Sequence, residues 1–223
     1  MFEHRPLEIF ELKEEYKDGK RFYKVSEELA YPSVTTVLST LSKEGIQKWV
    51  DRVGVDEANK IKNTAARRGT KVHTICEDYV SNKPNYLASH MPNSISMFKQ
   101  IQPWLDRNVN YVYNIEIPLH SHRLKTAGRC DLVANLHDYG DSIIDYKTST
   151  KPKREEWIEN YKLQTTAYAW MVYELYNIKI DHCVVLIAVE TCPLQVFQFN
   201  PKSYYKKVND LFTSHWESLM VDS

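Results

Sequence analysis

The sequence has no long apolar run, no closely spaced pair of cysteines and no excess of charge of either sign. Without a stretch of about 20 apolar residues, no membrane-spanning helix is expected. The segment Met1–Asp18 is rich in Glu and Lys. It lacks both the apolar core of a secretory signal and the acid-poor composition of an organelle-import segment. A soluble, cytoplasmic protein is therefore expected. The four cysteines, Cys76, Cys130, Cys183 and Cys192, do not have the spacing of a zinc or iron–sulfur site. They read as free, mostly buried thiols in a reducing compartment. Lys and Arg number 29 and Asp and Glu number 29, so a nucleic-acid surface would have to be a local patch. Internal repeats, low-complexity segments and linkers are also missing. The 223 residues, 43% of them hydrophobic, suffice for one well-filled domain. With no coiled-coil pattern or exposed apolar repeat, a monomer is expected.

Periodicity divides the chain into three parts: an N-terminal arm and helical part over 1–110, a sheet core over 111–200 and a C-terminal helix over 201–223. Residues 7–31 alternate loosely around Asp18-Gly19, a turn signal that predicts a hairpin or extended arm. Ser33 precedes Val34, Val37, Leu38 and Leu41 at helical spacing and suits a helix N-cap. Residues 44–81 read as two helices, with Gly69 as a break or joint. A loop over 82–92 and a helix over 95–105 follow, and 82–110 is the candidate for a cover over a bound strand. The period then changes. Strands are predicted over 111–119, 128–136 and 142–147, a helix over 155–176, strands over 182–189 and 195–199, and a helix over 204–219. This order predicts a central mixed β-sheet covered by helices on both faces.

The chemistry centres on Asp131 and Asp145-Tyr146-Lys147. Strand side chains alternate, so Asp145 and Lys147 point the same way, on a strand that arrives buried through Ile143 and Ile144. A short turn separates this strand from the one carrying Asp131, so a hairpin brings the two aspartates together. Clustered carboxylates need a shared proton or cation, and hard oxygen ligands suit Mg²⁺ or Mn²⁺. Lys147 could orient or deprotonate the attacking water, or neutralise charge on a reacting phosphate. The bland alternative is a solvated strand face, on which Asp and Lys two apart are common.

Other residues add weight. Glu116, inside Ile115-Glu-Ile117, either faces solvent or adds a carboxylate. His73 and Glu77 share a helix face, as do Gln164 and Tyr168. Asn59–His73 carries Lys60, Lys62, Arg67, Arg68 and Lys71 without an acid, and Lys147–Arg154 carries Lys151, Lys153 and Arg154 likewise. Such runs fit a polyanion held for hydrolysis. They also fit solvated faces. Trp49, Tyr79 and Trp157 could stack on unpaired bases or belong to the core.

Gly128-Arg-Cys-Asp131, Ile143-Ile-Asp145-Tyr-Lys147-Thr-Ser149 and Gln164-x-x-x-Tyr168, in this order after Gly69-x-x-x-His73, resemble the PD-(D/E)XK nuclease superfamily and most closely its RecB-like branch. The opening Tyr31-Pro-Ser-Val-Thr-Thr-Val-Leu38 is similar to that of mitochondrial genome maintenance exonucleases and their bacteriophage relatives. The resemblance covers roughly residues 30–200. It implies an α/β/α sandwich with a restriction-endonuclease-like core plus helical N-terminal elements, and a metal-dependent DNA exonuclease favouring single strands; the alternatives are a structure-specific or restriction-type endonuclease and a non-catalytic nucleic-acid-binding module. Asp131 and Asp145 would bind Mg²⁺ or Mn²⁺, with His73 and Glu116 completing the ligand set. Lys147 would assist the attacking water, and Gln164 and Tyr168 would support the lysine and the DNA backbone. Ser33, Thr35, Arg67, Arg68, Lys71, Lys151 and Lys153 would contact DNA. The iron–sulfur cysteines of some RecB-like nucleases and a long mitochondrial import segment are missing. A phage or bacterial source, and for a phage protein the host cytoplasm, fits better.

Overall fold

The computed structural model describes residues 1–221. Along the chain run β1 (Glu3–His4), β2 (Lys13–Lys17), β3 (Lys20–Lys24) and β4 (Ala30–Pro32), then α1 (Val34–Val53), α2 (Val55–Val80) and α3 (Pro92–Asn108). There follow β5 (Val109–Ser121), β6 (Thr126–Leu136), β7 (Gly140–Ser149), α4 (Glu159–Tyr176), β8 (His182–Val189), β9 (Gln195–Phe199) and α5 (Tyr205–Val221). Six strands form one sheet in the order β1-β5-β6-β7-β8-β9. β5, β6 and β7 make an antiparallel meander. The crossover through α4 then sets β8 parallel to β7, and β9 pairs antiparallel to β8. The sheet is thus mixed, as expected.

Alternation along the strands sends successive apolar side chains to opposite faces, and each face meets helices. Ile143 and Cys183 pack with Leu163, Ala167 and Met171 of α4 and with Phe212 of α5. Their neighbours Ile144 and Val184 pack on the other face with Val72 and Ile75 of α2 and Phe98 of α3. The result is the α/β/α sandwich with a restriction-endonuclease-like core.

A second, three-stranded sheet, β2-β3-β4, is built from the predicted hairpin. Lys17 pairs with Lys20 across a two-residue loop, and Asp18 and Gly19 both have positive φ (51° and 71°). Asp-Gly is the favoured pair for that turn, because its backbone follows the strand twist. Tyr23, fully buried, anchors this sheet with Leu12, Tyr31 and Ala127.

Two local expectations change. Gly69 neither breaks nor joins helices: α2 runs through it as one 26-residue helix, after a boundary at Gly54. A single internal glycine costs about 1 kcal/mol, which the buried face of Val72, Ile75, Cys76 and Val80 outweighs. The region 82–110 forms no cover, since α3 buries Met97, Phe98, Ile101 and Leu105 beneath the sheet. All four cysteines are free, three of them buried. No helix among the described residues is long and apolar enough to cross a membrane.

Candidate active site

The site lies where β6 and β7 part. Their pairing runs from Leu136–Gly140 to Leu132–Ile144 and stops there. Beyond this point Tyr146 would have unpaired backbone groups on its β6 side, a costly arrangement in a buried strand. Two side chains replace the missing ladder. Asp131 Oδ2 accepts the Tyr146 N–H at 2.8 Å, and His73 Nε2 donates to the Tyr146 carbonyl at 2.6 Å. A carbonyl can only accept, so Nε2 carries a proton, and Nδ1 is the ring nitrogen left to offer a lone pair to a metal. Nδ1 stands 3.5 Å from Asp131 Oδ2.

Glu116 joins them through a local irregularity of β5. The β5–β6 register pairs Ile115 with Leu132 and Ile117 with Cys130, and Glu116 between them has φ 48°. A left-handed, non-glycine residue inside a strand costs about 1–3 kcal/mol and marks a functional constraint. Here it accompanies a carboxylate brought to Asp131. His73, Glu116 and Asp131 each offer a ligand atom, all within 4.8 Å of one another. Burial, then the charges of Asp131 and Glu77, pushes the Glu116 carboxyl up to about 8.

Asp145 and Lys147 extend from β7 on the face of Ile143. Lys147 Nζ lies 2.5 Å from Asp145 Oδ2, and Asp145 is 1% exposed. The pair is close enough for strong attraction, yet neither Asp145 oxygen has a well-directed hydrogen bond. The Asp145 carboxyl is raised to about 6, the balance of burial, which raises it, Lys147, which lowers it, and the Asp131 charge, which raises it. Burial alone would lower the Lys147 ammonium, but Asp145 and Asp131 outweigh it and hold it above the ordinary lysine value. Lys147 therefore keeps its proton and acts as a charged hydrogen-bond donor rather than a base, with a fifth of its side chain open to the cleft.

Gln164 and Tyr168 of α4 border the same cleft, about 410 Å³ in volume. Tyr168 fits because residue 128 is glycine: a Cβ there would stand 2.9 Å from both Cε1 and Oη of the ring. Gly69, Thr70 and Thr74 of α2 and Arg21, Thr35 and Arg129 also border it.

These donors fit a divalent cation. Two carboxylates and an imidazole nitrogen converge, and Asp145, which lies outside that trio, presents a buried Oδ1 without a partner while Oδ2 is paired with Lys147. A family model for the PD-(D/E)XK nuclease superfamily matches residues 85–208, more than half of the sequence. The chain belongs to the PD-(D/E)XK nuclease superfamily. No curated protein matches the sequence. The matched segment of this PD-(D/E)XK nuclease includes Glu116, Asp131, Asp145, Lys147, Gln164 and Tyr168, but not His73. His73, expected from the Gly69-x-x-x-His73 spacing, lies outside the matched segment and is placed at the site by geometry. Membership implies nuclease chemistry supported by divalent metal ions.

The expected DNA contacts of this PD-(D/E)XK nuclease divide. Thr35 is exposed at the cleft, and Arg67, Lys71 and Lys151 are exposed, with Lys153 half-buried. Arg68 is engaged within the fold, donating to Thr148 Oγ1 at 3.3 Å and Glu190 Oε1 at 3.0 Å. Ser33 leaves the contact set: it is buried, and its hydroxyl accepts the Thr36 N–H to cap α1. Of the three aromatic candidates, Trp157 is 59% exposed, Trp49 is half-buried, and Tyr79 packs with Phe2, Tyr86 and Phe98 while donating to Asp106. Arg21 and Arg129 join the expected residues at the cleft. Arg129 stands inside the Gly128–Asp131 motif, which could have signalled it. Arg21 has no local signal.

Proposed function

We propose that the protein is a metal-dependent DNA exonuclease that hydrolyses phosphodiester bonds from DNA ends and prefers single strands. The observation that carries the reading is the convergence of His73, Glu116 and Asp131 on one cleft beside the Asp145–Lys147 pair. His73, Glu116, Asp131 and Asp145 would hold Mg²⁺ or Mn²⁺. A bound divalent ion supplies Lewis-acid polarisation of the phosphate and offsets negative charge developing on it. His73 presents Nδ1 because Tyr146 occupies Nε2. Lys147 directs its ammonium at the attacking water or a phosphate oxygen, with Asp145 holding it charged. Gln164 and Tyr168 position the lysine and the strand backbone at the cleft. The reaction is attack of water on phosphorus, cleavage of one P–O bond and proton transfer to the departing oxygen.

The similarity of Tyr31–Leu38 to genome maintenance exonucleases supports action at ends. All the site residues come from one chain, so a monomer suffices, and residues 1–223 are read as one nuclease domain. The test is incubation of end-labelled linear and closed circular single-stranded DNA with Mg²⁺, Mn²⁺ or EDTA. Metal-dependent loss of the linear DNA alone is expected. Cutting of the circle means an endonuclease, and binding without cutting under any condition means a silent site.

A further inference from the structure

We propose that Arg21, together with Thr35, forms a subsite for a second, non-scissile phosphate of the nucleic-acid substrate. The inference rests on the nuclease reading above and assigns a role to the N-terminal three-stranded sheet. Arg21 lies on β3, about 110 residues before Asp131 in sequence, yet its side chain borders the cleft that contains the metal trio. The backbone explains how it arrives there. The Arg21 carbonyl accepts the Ser33 N–H at 2.8 Å and the Thr36 hydroxyl at 3.2 Å, which ties β3 to the first turn of α1.

The side chain is pre-aimed. Nη1 donates to Glu14 Oε1 at 3.2 Å and Nη2 to Thr35 Oγ1 at 3.2 Å. Glu14 is itself fixed, its Oε1 also accepting the Tyr23 hydroxyl at 3.0 Å. The guanidinium has five N–H donors, and these bonds occupy two of them. About a third of the side chain remains open. A partly exposed Arg–Glu pair stabilises a fold very little, so stability gives no reason for this orientation. A planar cationic fork with free donors, next to an exposed hydroxyl at the start of a 20-residue helix, has the chemistry of a phosphate site. The carboxylates of Glu77, Glu116 and Asp131 border the same cleft, so a polyanion needs a cationic anchor away from them.

The bound group is a phosphate, either an internal diester or a terminal monoester. The test measures binding of a fluorescent single-stranded oligodeoxynucleotide in EDTA across a salt series, so that it does not depend on cleavage. Arg21→Gln is expected to weaken binding roughly 10- to 100-fold and to lower the slope of log affinity against log salt by about 0.7. In the cutting assay KM rises while kcat changes little. Arg21→Lys keeps the charge but not the fork, so it retains the slope and recovers part of the affinity. Calorimetry with Mn²⁺ should give wild-type affinity for Arg21→Gln, showing an intact trio. Should Arg21→Gln fail to fold, Arg21→Lys carries the comparison. Oligonucleotides with and without a 5′-phosphate separate the two sources: a loss confined to the phosphorylated end identifies a monoester, and an equal loss a diester. Wild-type affinity and salt slope in Arg21→Gln, in an enzyme that cuts DNA, overturn this inference alone. A wild-type protein that neither binds nor cuts nucleic acid overturns the nuclease reading and the subsite with it.

Discussion

Replacing Glu116 with Gln separates the protonation of the metal trio from its geometry. The Glu116 carboxyl is raised from its ordinary value of 4.5 to about 8, so at neutral pH it holds a proton that an arriving divalent ion must displace. Metal affinity should therefore rise about tenfold per pH unit up to about pH 8 and level off above it. The stability of the metal-free protein runs the other way. A carboxyl whose folded value is raised contributes stability that is fully present below about pH 4.5 and is lost as pH rises through about 8. Gln cannot ionise, so near pH 9 the variant should be the more stable protein. The full shift, at about 1.4 kcal/mol per pKa unit, would correspond to about 5 kcal/mol; partial solvation of Glu116 reduces this to about 2 kcal/mol. In a chain of this size that is a rise of roughly 4–8 °C in Tm. Calorimetric titration with Mn²⁺ in buffers of different ionisation enthalpy counts the protons released. Near pH 6.5 the wild type should release about one more proton per ion than Glu116→Gln. A wild-type Mn²⁺ affinity that is flat between about pH 6 and 8, or a variant no more stable than wild type near pH 9, refutes the reasoning.

Three further substitutions bear on the site. Lys147→Ala should lower the cleavage rate by about 10²- to 10⁴-fold with DNA binding largely kept; its melting temperature should fall more at pH 8 than at pH 5, because Asp145, raised to about 6, keeps its proton at the lower pH and needs no counter-ion there. Asp131→Asn retains an oxygen for the Tyr146 N–H and removes one repelling charge, so it should melt no lower than wild type while losing Mn²⁺ affinity in calorimetry. Gly128→Ala forces a Cβ to within 2.9 Å of the Tyr168 ring and should cost about 1–3 kcal/mol in denaturant unfolding, together with activity; an unchanged unfolding midpoint would show that Tyr168 is free to move aside.

The strands were legible because their signals are local. Ile143-Ile144 announces a strand buried on both faces, and the Asp18-Gly19 turn predicts the hairpin by itself. The motif residues were likewise legible as a set: Asp131, Asp145 and Lys147 converge on adjoining strands. Gly69 misled because helix propensity is a weak local term and burial of the α2 face overrides it. Arg21 was invisible because its place depends on docking a distant hairpin against α1. The depth of Asp145 was equally hidden, since alternation gives the direction of a side chain but not what lies above it.

The clasp on Tyr146 ties chemistry to architecture. Asp131 and His73 hold a strand peptide that the parting of β6 and β7 would otherwise leave without partners on that side, so each serves as scaffold as well as ligand. Lys147 and Glu116 carry no such duty to the backbone. In a lineage drifting toward a DNA-holding protein without cleavage, substitutions at Lys147 and Glu116 would be tolerated first, whereas positions 73 and 131 would remain confined to residues that can still grip a peptide group. A homologue with the clasp intact and the lysine gone would be the signature of that path.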